Sequence, residues 1–204
     1  MGRLKPLVAA SVGPYGAYLA DGSEFRGDYG LNIDDLQRFH RRRWQVLTSC
    51  GADLVACETL PSRLESVALR LLLEETPEVT AWFSFSCSSP DRISDGSLVE
   101  EVVVELEDCP QILAVGVNCT SPRYIQSLIE AFGRASDKPI VVYPNSGEGW
   151  DATARCWIPA GEDSVTMAGA ARLWQQSGAR ILGGCCRTGP QQISELRREL
   201  LGQG

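Results

Sequence analysis

The sequence lacks the features that mark membrane proteins and nucleic-acid-binding proteins. No apolar stretch approaches the roughly 20 residues that a membrane-spanning helix needs. Its 26 acidic residues outnumber the 19 basic ones, for a net charge of -7, whereas a nucleic-acid-binding protein needs a basic surface. The N-terminal segment MGRLKPLVAAS does not follow the signal-peptide pattern. We therefore expect a cytoplasmic protein with no membrane or nucleic-acid partner.

Glycine motifs for nucleotide binding and histidines for acid–base catalysis are also scarce. The stretch SVGPYGAY matches neither Gly-x-Gly-x-x-Gly nor the phosphate loop, which disfavours a dinucleotide site. The only histidine, His40, lies in the basic run HRRRW. We predict that His40 lies on a solvated helix face, and we assign it no catalytic role.

Cysteine, by contrast, is plentiful. The chain has eight cysteines, and without an export signal we expect a reducing compartment in which most of them remain thiols. We assign four to packing or to the surface: Cys50, Cys57, Cys109 and Cys156. Cys87 has no evident partner, and its role stays open.

Short strand-like runs alternate with helix-like segments along the chain. The strand-like runs cover residues 6–12, 53–59, 80–86, 112–118, 139–145 and 179–185. Several are apolar at consecutive positions, which is typical of strands buried on both faces in a parallel sheet. The predicted helices cover about 34–49, a segment beginning at Ser62, about 97–107, a segment beginning at Ser121, about 163–177, and a segment after Pro190. Ser62 with Glu65 forms a capping-box pattern at the start of the second helix.

This order predicts an α/β fold with parallel strands joined by crossover helices. Two architectures fit: an open doubly wound sheet and a (β/α)8 barrel. A closed barrel needs eight strand–helix units and typically about 250 residues. Six units in 204 residues therefore favour an open sheet or an incomplete barrel.

Cysteines follow two of the predicted strands, at the edge where parallel α/β proteins bind their ligands. Cys119 follows one strand, and Cys185 and Cys186 follow the last one, beside Gly183 and Gly184. Three thiolates with one open position are a plausible catalytic zinc site. Two alternatives remain open: thiols that simply pack in the fold, and a vicinal disulfide that acts as a redox switch.

Glu58 ends an apolar strand, where a carboxylate is costly unless it is paired or lies near a cation. It either caps a helix or forms a salt bridge, or it holds the ammonium group of a substrate. The spacing of residues leaves both interpretations open.

Long motifs lie at the strand ends and in the loop after the first strand: SVGPYGAYLADGSEFRGDYG, ADLVACETLPS, AWFSFS, GVNCTSP, VVYPNSGE and GGCCRT. Together they closely resemble the homocysteine S-methyltransferases, which use S-methylmethionine or S-adenosylmethionine as methyl donor. The resemblance runs from about Leu7 to the end of the last predicted helix. It implies a TIM (β/α)8 barrel in which these six units are the third to the eighth. On this basis residues 1–204 are one homocysteine-binding domain that lacks the first two βα units, and we expect exposed apolar strand edges.

The resemblance also implies a site. Cys119, Cys185 and Cys186 match the zinc ligands of the family, and the homocysteine sulfur is the fourth ligand. Glu58 matches the carboxylate that contacts the homocysteine amino group. Asn118, beside the first zinc ligand, is expected to help shape the pocket.

The implied activity is zinc-dependent methyl transfer from a sulfonium donor to the thiol of L-homocysteine, which forms methionine. The alternative is a truncated relative that binds zinc without turnover. The preferred donor and the oligomeric state stay open.

Overall fold

A sheet of six parallel strands forms the centre of the protein. The computed structural model describes residues 5–151, 154, 156–159 and 165–202. The strands of the sheet are β1 (Ala9–Val12), β2 (Leu54–Leu60), β3 (Ala81–Phe85), β4 (Ile112–Asn118), β5 (Ile140–Tyr143) and β8 (Ala179–Leu182), in the spatial order β1-β2-β3-β4-β5-β8. Every neighbouring pair in it is parallel. The predicted alternation of six parallel strands with helices is confirmed, and the fold is that of six consecutive units of a TIM-barrel-like protein.

Helices connect these strands. They are α1 (Tyr15–Leu19), α2 (Ile33–Thr48), α3 (Arg63–Glu74), α4 (Val99–Glu107), α5 (Pro122–Ala135), α6 (Met167–Gln176) and α7 (Pro190–Leu201). Six of them match the predicted helices within a few residues, although 163 and 164, at the start of the predicted fifth helix, lie outside the described residues. Of the helices that the structure describes, none has the length and apolar character to cross a membrane.

An antiparallel hairpin that the sequence analysis did not predict lies between β5 and α6. It consists of β6 (Gly149–Asp151) and β7 (Cys156–Ile158). The strands have three residues each, too few for a period-2 pattern to be recognised. The hairpin extends the chain beyond the carboxyl end of β5.

The two faces of the central strands differ in chemistry because successive side chains of a strand point to opposite sides. On β3, Phe83 and Phe85 lie on one side, and Phe85 stacks on Phe132 of α5 with ring centroids 6.3 Å apart. On the other side, Ser84 of β3 and Asn118 of β4 are both buried and hydrogen-bonded to each other at 2.9 Å. The sheet therefore has a helix-covered apolar face and a second face that carries polar groups.

Apolar side chains are exposed at both edges of the sheet, as expected. Leu7 and Val8, which lead into β1, are 70% and 62% exposed, and Ile181 of β8 is 44% exposed. Within the part of the chain that the structure describes, β1 and β8 each pair with a strand on one side only. These edges are available for further strand pairing.

The prediction for His40 is wrong. His40 is fully buried on α2, on the same helix face as Leu36 and Trp44. These three positions are spaced by four residues, so their side chains face the core together. The prediction failed because the neighbouring arginines suggested a solvent-exposed helix face. The guanidinium of Arg43 donates to Nδ1 of His40 at 3.0 Å. Because arginine only donates, the imidazole proton is on Nε2 and is donated to Glu65 Oε1 at 2.8 Å.

The capping box predicted for Ser62 and Glu65 is also wrong. Among the described residues, no side-chain hydrogen bond caps α3. The carboxylate of Glu65 is fully buried and turns instead toward the loop that follows β1. It accepts hydrogen bonds from the backbone N–H of Tyr15 at 2.6 Å and from the hydroxyl of Tyr29 at 3.1 Å. Glu65 therefore fixes this loop against α2 and α3.

Acidification should weaken the fold through His40. Burial, with the nearby charge of Arg43, holds the pKa of His40 below its ordinary value of 6.5, although Glu65 partly opposes this. The unfolded chain therefore takes up a proton at a higher pH than the folded one, so stability is complete above pH 6.5 and falls as the pH drops toward the folded pKa, by up to about 1.4 kcal/mol per pH unit.

The variant His40→Gln keeps an N–H donor for Glu65 but cannot titrate. Urea unfolding at pH 7.5, 6.5 and 5.5 should show a smaller loss of unfolding free energy in the variant than in the unmodified protein. Equal losses in the two proteins would contradict this assignment.

Candidate metal centre and substrate site

Three cysteines from two separate segments meet at the carboxyl edge of the sheet. Cys119 directly follows β4, and Cys185 and Cys186 follow β8, although β5 lies between these two strands. The segment after β5 joins them, because the N–H of Cys119 donates to the Tyr143 carbonyl at 3.2 Å and the N–H of Cys185 donates to the Pro144 carbonyl at 2.9 Å. Backbone hydrogen bonds beyond the strand ends thus bring both segments over β5.

The sulfur atoms are close enough to share one metal ion. The Sγ atoms of Cys119, Cys185 and Cys186 all lie within 4.8 Å of one another. Cys186 Sγ is 3.4 Å from Cys119 Sγ and 4.0 Å from Cys185 Sγ. A tetrahedral zinc ion with Zn–S bonds of about 2.3 Å requires S–S separations of about 3.8 Å. The donor set and these two separations fit a thiolate metal site.

The structure joins Cys119 and Cys185 in a disulfide. A vicinal disulfide between Cys185 and Cys186 was one of the alternatives left open, but the bonded pair is a different one. Thiolates are the metal ligands, so this bond and a metal ion are alternative uses of the same sulfur atoms. Metal binding therefore requires the reduced protein.

Unusual backbone conformations orient the cysteine side chains toward one another. Cys119 has φ 47° and Arg187, just after the cysteine pair, has φ 63°, values that cost non-glycine residues about 1 kcal/mol or more. Gly184 is required at its position, because a Cβ there would lie 2.3 Å from Thr188 Oγ1. These features turn the chain sharply around Cys185 and Cys186.

The remaining cysteines lie outside this cluster. Cys57 and Cys109 are buried, Cys50 and Cys156 are exposed, and Cys87 is half-buried. Burial raises the pKa of the Cys57 and Cys87 thiols, so both stay protonated at neutral pH. The four assignments to packing or surface agree with these positions.

Glu58 lies on the polar face of the sheet, at the carboxyl end of β2. Its Oε1 accepts from the Ser11 hydroxyl at 2.6 Å, and its Oε2 accepts from the Tyr143 hydroxyl at 2.9 Å. Both partners are neutral, and among the residues that the structure describes no cation forms an ion pair with this carboxylate. Of the two interpretations left open, the helix cap and salt bridge are therefore disfavoured, and the negative charge is available to a ligand cation.

Asn118 clamps the strand end that carries Glu58. Its Oδ1 accepts from the N–H of Thr59 at 2.7 Å, and its Nδ2 donates to Thr59 Oγ1 at 2.7 Å. Thr59 has φ 59° and lies in a register shift of β2. The same Nδ2 lies 3.9 Å from Cys185 Sγ. Asn118 thus connects the carboxylate side of the site with the sulfur cluster.

Sequence reasoning missed other polar residues of this network. Tyr143, Ser84 and Trp82 point to the same face as Asn118, and the Tyr143 hydroxyl is hydrogen-bonded to both Trp82 and Ser84. Strict alternation along β3 would have placed Trp82 and Ser84 on one face. Tyr143 stood within the quoted motif VVYPNSGE, but its partners are 59 to 85 residues away along the chain, so spacing gave no signal.

The fold and the site define a class: an α/β protein of parallel strands with three clustered cysteines that could hold a metal ion, and with a carboxylate nearby, at the carboxyl ends of those strands. A known protein family matches nearly the whole chain. The chain belongs to the homocysteine S-methyltransferase family, whose sequence model matches residues 2–200. The resemblance found in the motifs is thereby confirmed.

Sequence identity to individual relatives supports the family assignment. The homocysteine S-methyltransferase YbgG of Bacillus subtilis is 47% identical over 196 residues, which are 96% of this chain and 62% of the relative. The homocysteine S-methyltransferase of Escherichia coli is 47% identical over 191 residues, or 94% of this chain and 62% of the relative. A selenocysteine Se-methyltransferase of Brassica oleracea is 42% identical over 199 residues, or 96% of this chain and 58% of the relative.

Solved structures of the Escherichia coli homocysteine methyltransferase MmuM have the same fold. Its metallated form has a TM-score of 0.82 and its oxidized form a TM-score of 0.83, each at 43% identity over 94% of this chain and 60% of that one. The chain therefore spans about 60% of the length of the relatives that it matches.

Proposed function

We propose that this chain carries the metal centre of an enzyme that transfers a methyl group from a sulfonium donor to the thiol of L-homocysteine, forming methionine. The observation that carries the proposal is the convergence of three cysteine sulfur atoms within 4.8 Å of one another. Membership in the homocysteine S-methyltransferase family supports the choice of substrate. The sulfonium donor is S-methylmethionine or S-adenosylmethionine.

Zinc is the metal that these ligands suit best. Soft thiolates favour Zn²⁺, which takes four ligands, and three protein ligands leave one position for a substrate. Cys119, Cys185 and Cys186 would hold the ion. When bound, zinc would lower the pKa of the homocysteine thiol and make its sulfur a nucleophile at neutral pH.

The residues around the cluster bind and orient the substrate. The uncompensated carboxylate of Glu58 receives the ammonium group of homocysteine, and Asn118 maintains the strand end from which Glu58 projects. Holding homocysteine at both ends aligns its sulfur for in-line attack on the donor methyl group. As the new S–C bond forms, the old C–S bond breaks and the donor leaves as a neutral thioether, so no general acid is required.

The reducing cytoplasm suits this chemistry, because the metal centre needs free thiols. The net charge of -7 is consistent with small cationic substrates and disfavours a nucleic-acid partner.

An activity assay on the reduced protein tests the proposal. We expect about one zinc ion per chain by elemental analysis and methionine formation from homocysteine with one of the two sulfonium donors. Omitting the donor is the matched control. Stoichiometric zinc without methionine from either donor would favour the truncated relative without turnover, and absence of both zinc and methionine would contradict the whole proposal.

A further inference from the structure

Tyr143, the last residue of β5, forms several hydrogen bonds within the candidate site. No sequence motif indicated these contacts. Its hydroxyl donates to Glu58 Oε2 at 2.9 Å and accepts from the indole N–H of Trp82 at 2.9 Å. The hydroxyl of Ser84 lies 2.5 Å from the same oxygen. Three protein groups thus surround one phenol oxygen.

The phenol is a reliable donor to Glu58. A tyrosine hydroxyl keeps its proton throughout the neutral range, and that of Tyr143 donates to Glu58 Oε2. A hydrogen bond to an ionised carboxylate is about twice as strong as one between neutral groups. Trp82 restrains the ring as well, through an edge contact with centroids 6.3 Å apart.

The second partner of Glu58 cannot replace this restraint. Ser11 is exposed, so water competes for its hydroxyl. Tyr143 is half-buried and held by a network that also includes Ser84 and, through it, Asn118. Of the two hydroxyls that contact Glu58, the one from Tyr143 therefore fixes the orientation of the carboxylate.

Tyr143 also contacts the sulfur side of the site through its backbone. Its carbonyl accepts the N–H of Cys119 at 3.2 Å, and it is paired with Asn118 across β4 and β5. Tyr143 thus positions the Glu58 carboxylate through its side chain and positions Cys119 through its main chain.

We infer that Tyr143 is a positioning residue that holds the Glu58 carboxylate toward the ammonium group of the substrate, and so makes the site prefer an amino-acid thiol over a thiol without an amino group. This inference rests on the proposed function, since it takes homocysteine as the ligand. It assigns Tyr143 no direct contact with the reacting atoms.

The test compares two thiols that differ only in the amino group, L-homocysteine and 4-mercaptobutanoate. Their affinities for the reduced, zinc-loaded protein are measured by calorimetry before and after Tyr143→Phe. We expect homocysteine to bind about tenfold more weakly, with the affinity for 4-mercaptobutanoate and the zinc content unchanged. A purely structural role for Tyr143 would weaken the binding of both thiols alike.

Tyr29→Phe is the matched control. It removes a phenol hydroxyl from another carboxylate, that of Glu65, outside the candidate site. We expect it to lower thermal stability and to leave the ratio of the two thiol affinities unchanged. Trp82→Phe removes the donor that restrains Tyr143, so it should shift the ratio in the same direction as Tyr143→Phe, by about threefold. It also provides the measurement if Tyr143→Phe does not fold.

A double variant tests whether Tyr143 acts through Glu58. Glu58→Gln combined with Tyr143→Phe should bind homocysteine no more weakly than Glu58→Gln alone, because coupled residues are not additive.

The possible outcomes separate the two proposals. If the unmodified protein binds homocysteine but Tyr143→Phe leaves the affinity ratio unchanged, or if the double variant shows additive losses, the inference about Tyr143 is overturned and the proposed function stands. If the unmodified protein does not bind homocysteine, both proposals fail together.

Discussion

Replacing Cys186 with serine is expected to reduce bound zinc from about one ion per chain to less than about 0.1. A serine hydroxyl stays protonated at neutral pH and is a poor ligand for zinc, so two thiolates remain where three are needed to hold the ion with one position free. Cys186 is the most informative of the three cysteines because it is exposed, so replacing its thiol should not disturb the packing of the reduced protein. A loss of zinc therefore does not require a loss of fold. Cys119→Ser should have the same effect on zinc.

The experiment needs reduced protein and a cysteine control. Zinc is measured by elemental analysis after purification with a reductant, and folding is checked by circular dichroism. Cys156→Ser is the control, because Cys156 is exposed and lies outside the cluster, and it should retain full zinc. Full zinc occupancy in both Cys186→Ser and Cys119→Ser would refute the ligand assignment.

Changing Glu58 to glutamine is expected to weaken homocysteine binding by about 30- to 100-fold while zinc occupancy stays the same. Glutamine has nearly the same shape but no charge, so the substrate ammonium loses a charge-assisted hydrogen bond worth about 2–3 kcal/mol. The absence of a compensating cation among the described residues makes the effect larger than at an ordinary surface carboxylate, where a salt bridge contributes about 0–1 kcal/mol.

Calorimetry with the two thiols distinguishes loss of charge recognition from general damage. The affinity for 4-mercaptobutanoate should be unchanged in Glu58→Gln, since this thiol has no ammonium group. The matched control is Glu75→Gln, which changes an exposed carboxylate paired with Arg41 on α2, and it should leave the affinities for both thiols unchanged. Unchanged homocysteine affinity in Glu58→Gln would remove Glu58 from the substrate site.

The cysteine cluster illustrates how far sequence reasoning reaches. The three residues could be chosen because each follows a strand, and carboxyl ends of parallel strands share one edge. Their convergence could not be derived, because β4 and β8 are not neighbours. The segment 143–146 joins the two cysteine segments through backbone hydrogen bonds to both of them, and no local sequence pattern predicts these bonds.

The errors at His40 and Glu65 have a related cause. Both residues were interpreted from their neighbours in the sequence, an arginine run in one case and a helix start in the other. They are 25 residues apart in the sequence, but in the folded chain their side chains are hydrogen-bonded at 2.8 Å. A buried ionisable residue depends on a partner from another element, and the partner decides its role.

The sequence by itself determined the alternation of strands and helices, the residues at the strand ends and the family of the protein. Hydrophobic periodicity, proline and glycine positions and motif chemistry are local properties that can be read directly from neighbouring residues. Only the tertiary structure decided which polar groups meet. The hydrogen bonds that join Glu58 to Ser11 and Tyr143 span 47 and 85 residues, and such contacts exist only once the sheet has assembled and brought the strand ends together.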